Sequence, residues 1–159
     1  MTEVAVRLAD LSDRSDAAAI VELLNGYAID PMGQGAPFSE EIRQRLVPEL
    51  QKQPHAVVLL ASVEGAPAGL AICFLGFSTF RLKPVLNIHD FCVADRFQGR
   101  GVGKQLMAGV EEEARRRGCG KVTLEVREDN HRAQALYLKC GFDPGKRGGD
   151  AMLFWGKTL

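Results

Sequence analysis

Three glycines at alternate positions lie within Phe97-Gln98-Gly99-Arg100-Gly101-Val102-Gly103-Lys104, between an apolar run over Val85–Ala94 and the start of a long amphipathic helix. A strand that turns through glycine directly into a helix constrains a chain strongly. Without side chains, the backbone of the turn approaches a ligand closely. The first helical turn also leaves unpaired N–H groups and a positive dipole end facing that ligand. Phosphate or pyrophosphate suits such a turn. The plainer alternative is a glycine-rich connection with no ligand.

Two familiar phosphate motifs fail on spacing. A P-loop needs Gly-x-x-x-x-Gly-Lys-Ser/Thr, but here the first glycine position is Gln98 and the hydroxyl position is Gln105. A dinucleotide fingerprint needs Gly-x-Gly-x-x-Gly, whose last position falls on Lys104 or Leu106. A second segment follows one helix and one strand later: Asn130-His131-Arg132-Ala133-Gln134-Ala135-Leu136-Tyr137-Leu138-Lys139-Cys140-Gly141-Phe142. Together, Gln98-x-x-Gly101-x-Gly103 and Asn130-x-x-Ala133-x-x-Leu136-Tyr137-x-Lys139-x-Gly141-Phe142 closely resemble the two signature stretches of the GNAT N-acetyltransferase superfamily. The resemblance is close from Leu86 to Phe142 and extends more loosely, as an order of strands and helices, over the whole chain.

That resemblance implies one domain over residues 1–159 that binds acetyl-CoA as co-substrate, without a metal, and moves the acetyl group to a primary amine of a small molecule or a protein. It implies a mixed, mostly antiparallel sheet of about seven strands flanked by about four helices, with the fourth and fifth strands splayed around the pantetheine arm. A homodimer is a further expectation from the family. A CoA-binding regulatory module without turnover, and a transferase using a longer acyl-CoA, are the alternatives.

Length and composition fit one ordinary domain, and the order of strands and helices makes it an α/β domain. The chain has 159 residues and enough apolar content for one core. With 20 Lys and Arg against 20 Asp and Glu, no net field recruits nucleic acid or an anionic membrane. Arg115, Arg116 and Arg117 each follow a glutamate by four residues, the favourable order on a solvated helix face. The amino terminus lacks a signal-like segment, and the apolar runs are too short to span a bilayer. Cys73, Cys92, Cys119 and Cys140 lack metal or redox spacing, which fits a reduced, cytoplasmic protein.

The pattern predicts strands over Val4–Leu8, His55–Ser62, Pro67–Phe77, Val85–Ala94, Lys121–Val126 and Ala151–Lys157, with Glu64-Gly65 as a hairpin turn. Helices are expected over Asp13–Asn25, from Ser39 to about Lys52, over Gly101–Arg117 and over Asn130–Lys139. Val102, Leu106, Val110 and Ala114 form one buried stripe, and Gly118 caps that helix.

The chemistry needs donors around a pyrophosphate, a base for the acceptor amine and an acid for the leaving sulfur. Backbone N–H groups from Gln98, Gly99, Arg100, Gly101, Val102, Gly103 and Lys104 are candidate phosphate donors, with Arg100 and Lys104 adding charge. By the resemblance, the main chain of Phe91 and Val93 meets the pantetheine, and the Asn130 side chain contacts the cofactor arm; Asn130 also suits a helix N-cap. Tyr137 stands where the family places a tyrosine beside the cofactor sulfur and is the candidate acid. His89 stands four residues before the cofactor-pairing Val93 and is the candidate base, expected on one strand face with Phe91 and Val93. Asp90 and Glu125 are second choices. Cys92 reads as a buried structural thiol rather than a nucleophile. Tyr27, Asp30, Met32 and Phe38, with Phe77, Phe80 and Arg81, are candidates to shape the acceptor pocket.

Overall fold

The computed structural model of the protein describes residues 3–144, 146–147, 150–151 and 155–159. Strand β1 (Val4–Leu8) leads to helices α1 (Arg14–Ile29) and α2 (Glu40–Gln51), then strands β2 (Ala56–Val63), β3 (Ala66–Ser78) and β4 (Lys83–Val93). A 3-10 turn at Asp95–Phe97 precedes α3 (Val102–Arg116), β5 (Lys121–Leu124), α4 (His131–Lys139) and the short strands β6 (Lys146–Arg147) and β7 (Asp150–Ala151). The main sheet runs β1-β2-β3-β4-β5 and is antiparallel except for the β4–β5 pair. It therefore has five strands rather than about seven, because β6 and β7 pair only with each other among the described residues. Of the strand expected over Ala151–Lys157, Ala151 belongs to β7, residues 155–157 are irregular, and residues 152–154 lie outside the described residues.

Alternation along β2 builds two cores. Val57, Leu59, Ala61 and Val63 face the α3 side, while Val58 and Leu60 face α1 and α2. A strand covered on both faces loses the polar alternation of a half-exposed one, as its sequence shows. On the first face, Val102, Leu106, Val110 and Ala114 are all buried, and Met107 joins them. Helix α3 lies close over β1 because residue 109 is glycine; a Cβ there would stand 2.6 Å from a Val6 methyl. On the second face, Ile20, Leu23 and Leu24 of α1 and Val47 and Leu50 of α2 pack on Leu70 and Ile72.

Local signals set most boundaries. Asp13 Oδ1 accepts the Asp16 N–H (2.9 Å), and Ser39 Oγ accepts that of Ile42 (3.3 Å), so both are N-caps. Glu64 and Gly65 both take positive φ (51° and 78°), the requirement of a type I′ hairpin turn. One end differs: α1 continues past Asn25-Gly26 to Ile29. A helical glycine costs about 1 kcal/mol, which the burial of Ala28 and the packing of Tyr27 against the second core offset. Asn25 instead holds the following loop, its Oδ1 accepting the Phe38 N–H at 2.8 Å.

The feature that positions the site is the end of the β4–β5 pairing. Val85–Ile88 pair with Lys121–Leu124, and β5 then ends while β4 runs on to Val93. At the same place β4 bulges: Ile88 pairs with Cys73 and Asp90 with Ile72, so His89 is the extra residue. Bulges bend a strand and re-aim its side chains.

Candidate active site

A cleft of about 330 Å³ opens where β4 and β5 part. Strand β4 contributes Ile88 to Phe91, α1 and its following loop contribute Tyr27 and Met32, the segment after β5 contributes Glu125 to Arg127 and Asn130, and α4 contributes Ala133 and Tyr137.

The bulge changes the face on which the candidate base stands. His89 does not share a face with Phe91 and Val93, as plain alternation predicts. Its ring meets Phe74 edge-on, 5.6 Å between centroids, and Phe74 belongs to the core beneath α1 and α2. Phe91 and Val93 pack against the opposite core. Asp90 and Cys92 follow the expected face, since their partners Ile72 and Leu70 lie in the second core. His89 and Asp90 thus both border the cleft from its α1 side. Burial holds the Asp90 carboxyl above the usual carboxylate range, with His89 pulling weakly the other way.

Tyr137 lies half-buried between two rings, edge-on to Phe91 (6.1 Å) and tilted against Phe142 (5.9 Å). Burial first, then the neighbouring Tyr27 and Cys92, push its phenol up to about 12. It therefore carries its proton throughout the neutral range and is available there as a proton donor. The Tyr27 phenol is also raised, by burial and by Asp90, and it donates a long bond (3.4 Å) to the Met32 carbonyl. Cys92 is buried, donates to the Leu23 carbonyl at 3.6 Å and has a thiol pushed up to about 12, so its thiolate is not populated at neutral pH.

Helix α4 joins the cleft to the glycine turn. On one side it presents Ala133 and Tyr137 to the cleft. On another, Leu136 reaches Gly103, where a Cβ would stand 3.0 Å from its Cδ2. Gly103 therefore serves the packing of α4 on α3, whereas Gly99 and Gly101 take φ of 74° and 82°, which favour glycine. Gly101 is the N-cap of α3 and offers no side chain. The first α3 bond runs from the Gln105 N–H to the Gly101 carbonyl (3.1 Å), so the N–H groups of Val102, Gly103 and Lys104 project beyond the helix end. Gln98 departs from expectation: its N–H bonds the Asp95 carbonyl (3.2 Å), and its Nε2 bonds the Val93 carbonyl (3.3 Å) and Asp95 Oδ1 (2.8 Å). Its groups brace the turn from within. Arg100 is exposed, its guanidinium 5.8 Å from the Phe97 ring centre, and Lys104 is exposed in the first turn of α3. Asn130 combines its two expected places, since its Oδ1 caps α4 at the Ala133 N–H (3.1 Å) and the residue borders the cleft.

The acceptor-side candidates divide. Tyr27 and Met32 line the cleft, whereas Asp30 folds the loop by accepting the Met32 N–H at 2.7 Å, and Phe38 packs into the second core. Phe77, Phe80 and Arg81 do not close it; they sit at the far tip of the β3–β4 hairpin, about 20 Å along the strand from His89 at ~3.3 Å per residue. Periodicity gave no signal for Arg127, which borders the cleft from an irregular segment while paired with Asp129 (2.8 Å).

Comparison with known proteins identifies the family and the fold. Residues 19–142 match the Acetyltransferase (GNAT) family. The chain belongs to that family. It is 27% identical over 136 residues to the aminoglycoside N(6')-acetyltransferase type 1 of Stenotrophomonas maltophilia, covering 84% of each chain. It is 37% identical over 76 residues to the N-alpha-acetyltransferase RimI of Mycobacterium tuberculosis, covering 46% of each. Its fold matches the structure of AAC(6')-Iy in complex with the bisubstrate analog CoA-S-monomethyl-acetylneamine, with a TM-score of 0.76 at 18% identity over 99% of this chain and 100% of that one. The protein is an N-acetyltransferase of the GNAT fold that uses acetyl-CoA. Among the described residues no helix is long and apolar enough to cross a membrane, and no group of metal-ligating side chains gathers.

Proposed function

We propose that this GNAT enzyme transfers acetyl directly from acetyl-CoA to a primary amine within a ternary complex. The observation that carries the reading is one cleft bordered by a phenol that keeps its proton, Tyr137, and by two groups able to take one, His89 and Asp90. Bound acetyl-CoA supplies the acetyl thioester, and its thiol is the leaving group. The N–H groups of Gly99 to Lys104, with Arg100 and Lys104, hold its phosphates, and Gln98 keeps that turn in shape. The main chain of Phe91 and Val93 and the amide of Asn130 meet the pantetheine arm. His89 takes one proton of the acceptor ammonium through water, and the freed nitrogen bonds the thioester carbonyl carbon. The C–S bond breaks as Tyr137 gives its phenolic proton to the departing sulfur, and the second proton lost from the nitrogen restores the phenol.

The lining of Tyr27, Met32, Asp90 and Glu125 is aromatic and acidic, and the charge of Arg127 is paired with Asp129, which supports a small cationic amine as acceptor. Residence in the cytoplasm and assembly as a homodimer complete the proposal; sedimentation equilibrium tests the second. Thiol release from acetyl-CoA across pools of polyamines, amino acids, aminoglycosides, aryl-alkyl amines and lysine peptides tests the reaction, with Tyr137→Phe alongside. Release in one pool, lost in the variant, is the expected result. Tight acetyl-CoA binding without release in any pool would favour a binding module, and faster release from longer acyl-CoA analogues would change the donor.

A further inference from the structure

Gln98 gathers contacts from three elements. Besides its bonds to Val93 at the end of β4 and to Asp95, its Oε1 accepts from the Nη1 of Arg132 in the first turn of α4. Arg7, Arg45, Arg115, Arg116, Arg117 and Arg127 each face a carboxylate. Among the described arginines whose guanidinium is held by a side-chain hydrogen bond, Arg132 is the one whose partner is a neutral amide. Its place is also locally unfavourable, since a cation in the first turn of a helix opposes the positive dipole end. Gln98 opens the glycine turn, so this bond holds the charge at the first residue of that turn. An anion at the turn would offset both costs and give the guanidinium the charged partner it lacks.

We propose that Arg132 is a further phosphate-binding residue for acetyl-CoA, and that Gln98 is the positioning residue that aims it across the turn. The proposal rests on reading the Gly99–Lys104 turn as the phosphate site. Because Arg132 and Tyr137 share α4, the element that places the sulfur-side acid would also grip the distal phosphates.

The test is calorimetric binding of acetyl-CoA and of S-acetylpantetheine, which lacks the phosphates, to the native protein, Arg132→Ala and Arg132→Lys. Arg132→Ala is expected to weaken acetyl-CoA about tenfold, the scale of one lost charge-assisted contact. The loss should shrink as salt is raised. Arg132→Lys should recover part of it, and S-acetylpantetheine should bind all three proteins alike. Equal losses for the two ligands would make Arg132 a prop for the fold of the turn and overturn the proposal, as would no loss for acetyl-CoA. Native protein that binds acetyl-CoA no better than S-acetylpantetheine would overturn the reading of the turn itself, before any variant is compared.

Discussion

The carbonyl oxygen of Tyr27 lies 2.2 Å from where a Cβ on residue 33 would stand, so the chain folds back over the end of α1 only because residue 33 is glycine. The fold-back is closed by the Gly33 N–H on the Asp30 carbonyl (2.8 Å) and by the Gln34 and Ala36 N–H groups on the Ala28 carbonyl (3.1 and 3.2 Å). It seats Met32 at the cleft beside Tyr27. In Gly33→Ala the obstacle is backbone and cannot rotate away. We expect KM for the amine to rise about tenfold, a stability loss of about 1–3 kcal/mol and an unchanged Kd for acetyl-CoA. Calorimetry beside steady-state kinetics checks this; parallel losses on both substrates would contradict it.

Tyr137→Phe should lower kcat by about 10²–10⁴, the usual contribution of a positioned acid, with little change in acetyl-CoA affinity. The phenol's high pKa, about 12, adds a second expectation: native turnover shows no decline from its ionisation up to about pH 10. A pH–rate profile decides this. An alkaline limb near pH 10 that disappears in Tyr137→Phe would mean the phenol is not held protonated as its burial requires.

For the base, kcat/KM of the native enzyme is expected to fall on the acid side as the proton acceptor becomes protonated. That limb should be lost in His89→Ala, with kcat/KM about 10²-fold lower. If the limb survives in His89→Ala and is lost in Asp90→Asn, the raised carboxyl of Asp90 is the base and the assignment to His89 is wrong.

Arg7 and Asp16 tie β1 to α1 through two parallel bonds (2.7 and 2.6 Å), and the Asp10 N–H adds a third to the same carboxylate (2.8 Å). The Arg7 bond, opposed by burial and aided by Asp10, holds the Asp16 carboxyl below its ordinary range. The folded pKa is depressed, so this stabilisation is complete above the unfolded value of ~3.9 and is lost as pH falls through the folded pKa. Asp16→Asn should cost about 1–3 kcal/mol at pH 7. Urea unfolding at pH 7 and at low pH should show the gap between native and variant narrowing in acid; a gap independent of pH would remove the linkage.

The parts of this protein legible in the sequence are those decided by a few neighbouring residues. A glycine turn between strand and helix, the Val102–Ala114 stripe, the helix starts near Asp13 and Ser39 and the Glu64-Gly65 hairpin depend on local dihedral freedom, capping and periodicity. The two spaced motifs were enough to identify the family, and with it the fold and the co-substrate. Tertiary structure decided how that framework is aimed. The bulge at His89 appears only when β4 is paired with β3, because a register shift belongs to two strands and neither sequence records it. Gly33 is one of several glycines along this stretch of sequence, and only the packed Tyr27 carbonyl sets it apart. Gln98 read as a ligand contact, and the folded chain engages its groups with Asp95, Val93 and Arg132, residues brought together from one connection, one strand and one helix. Short-range stereochemistry can be read along a chain, whereas the partner of a side chain 34 positions away is fixed only once the packing of whole helices and strands has closed the distance.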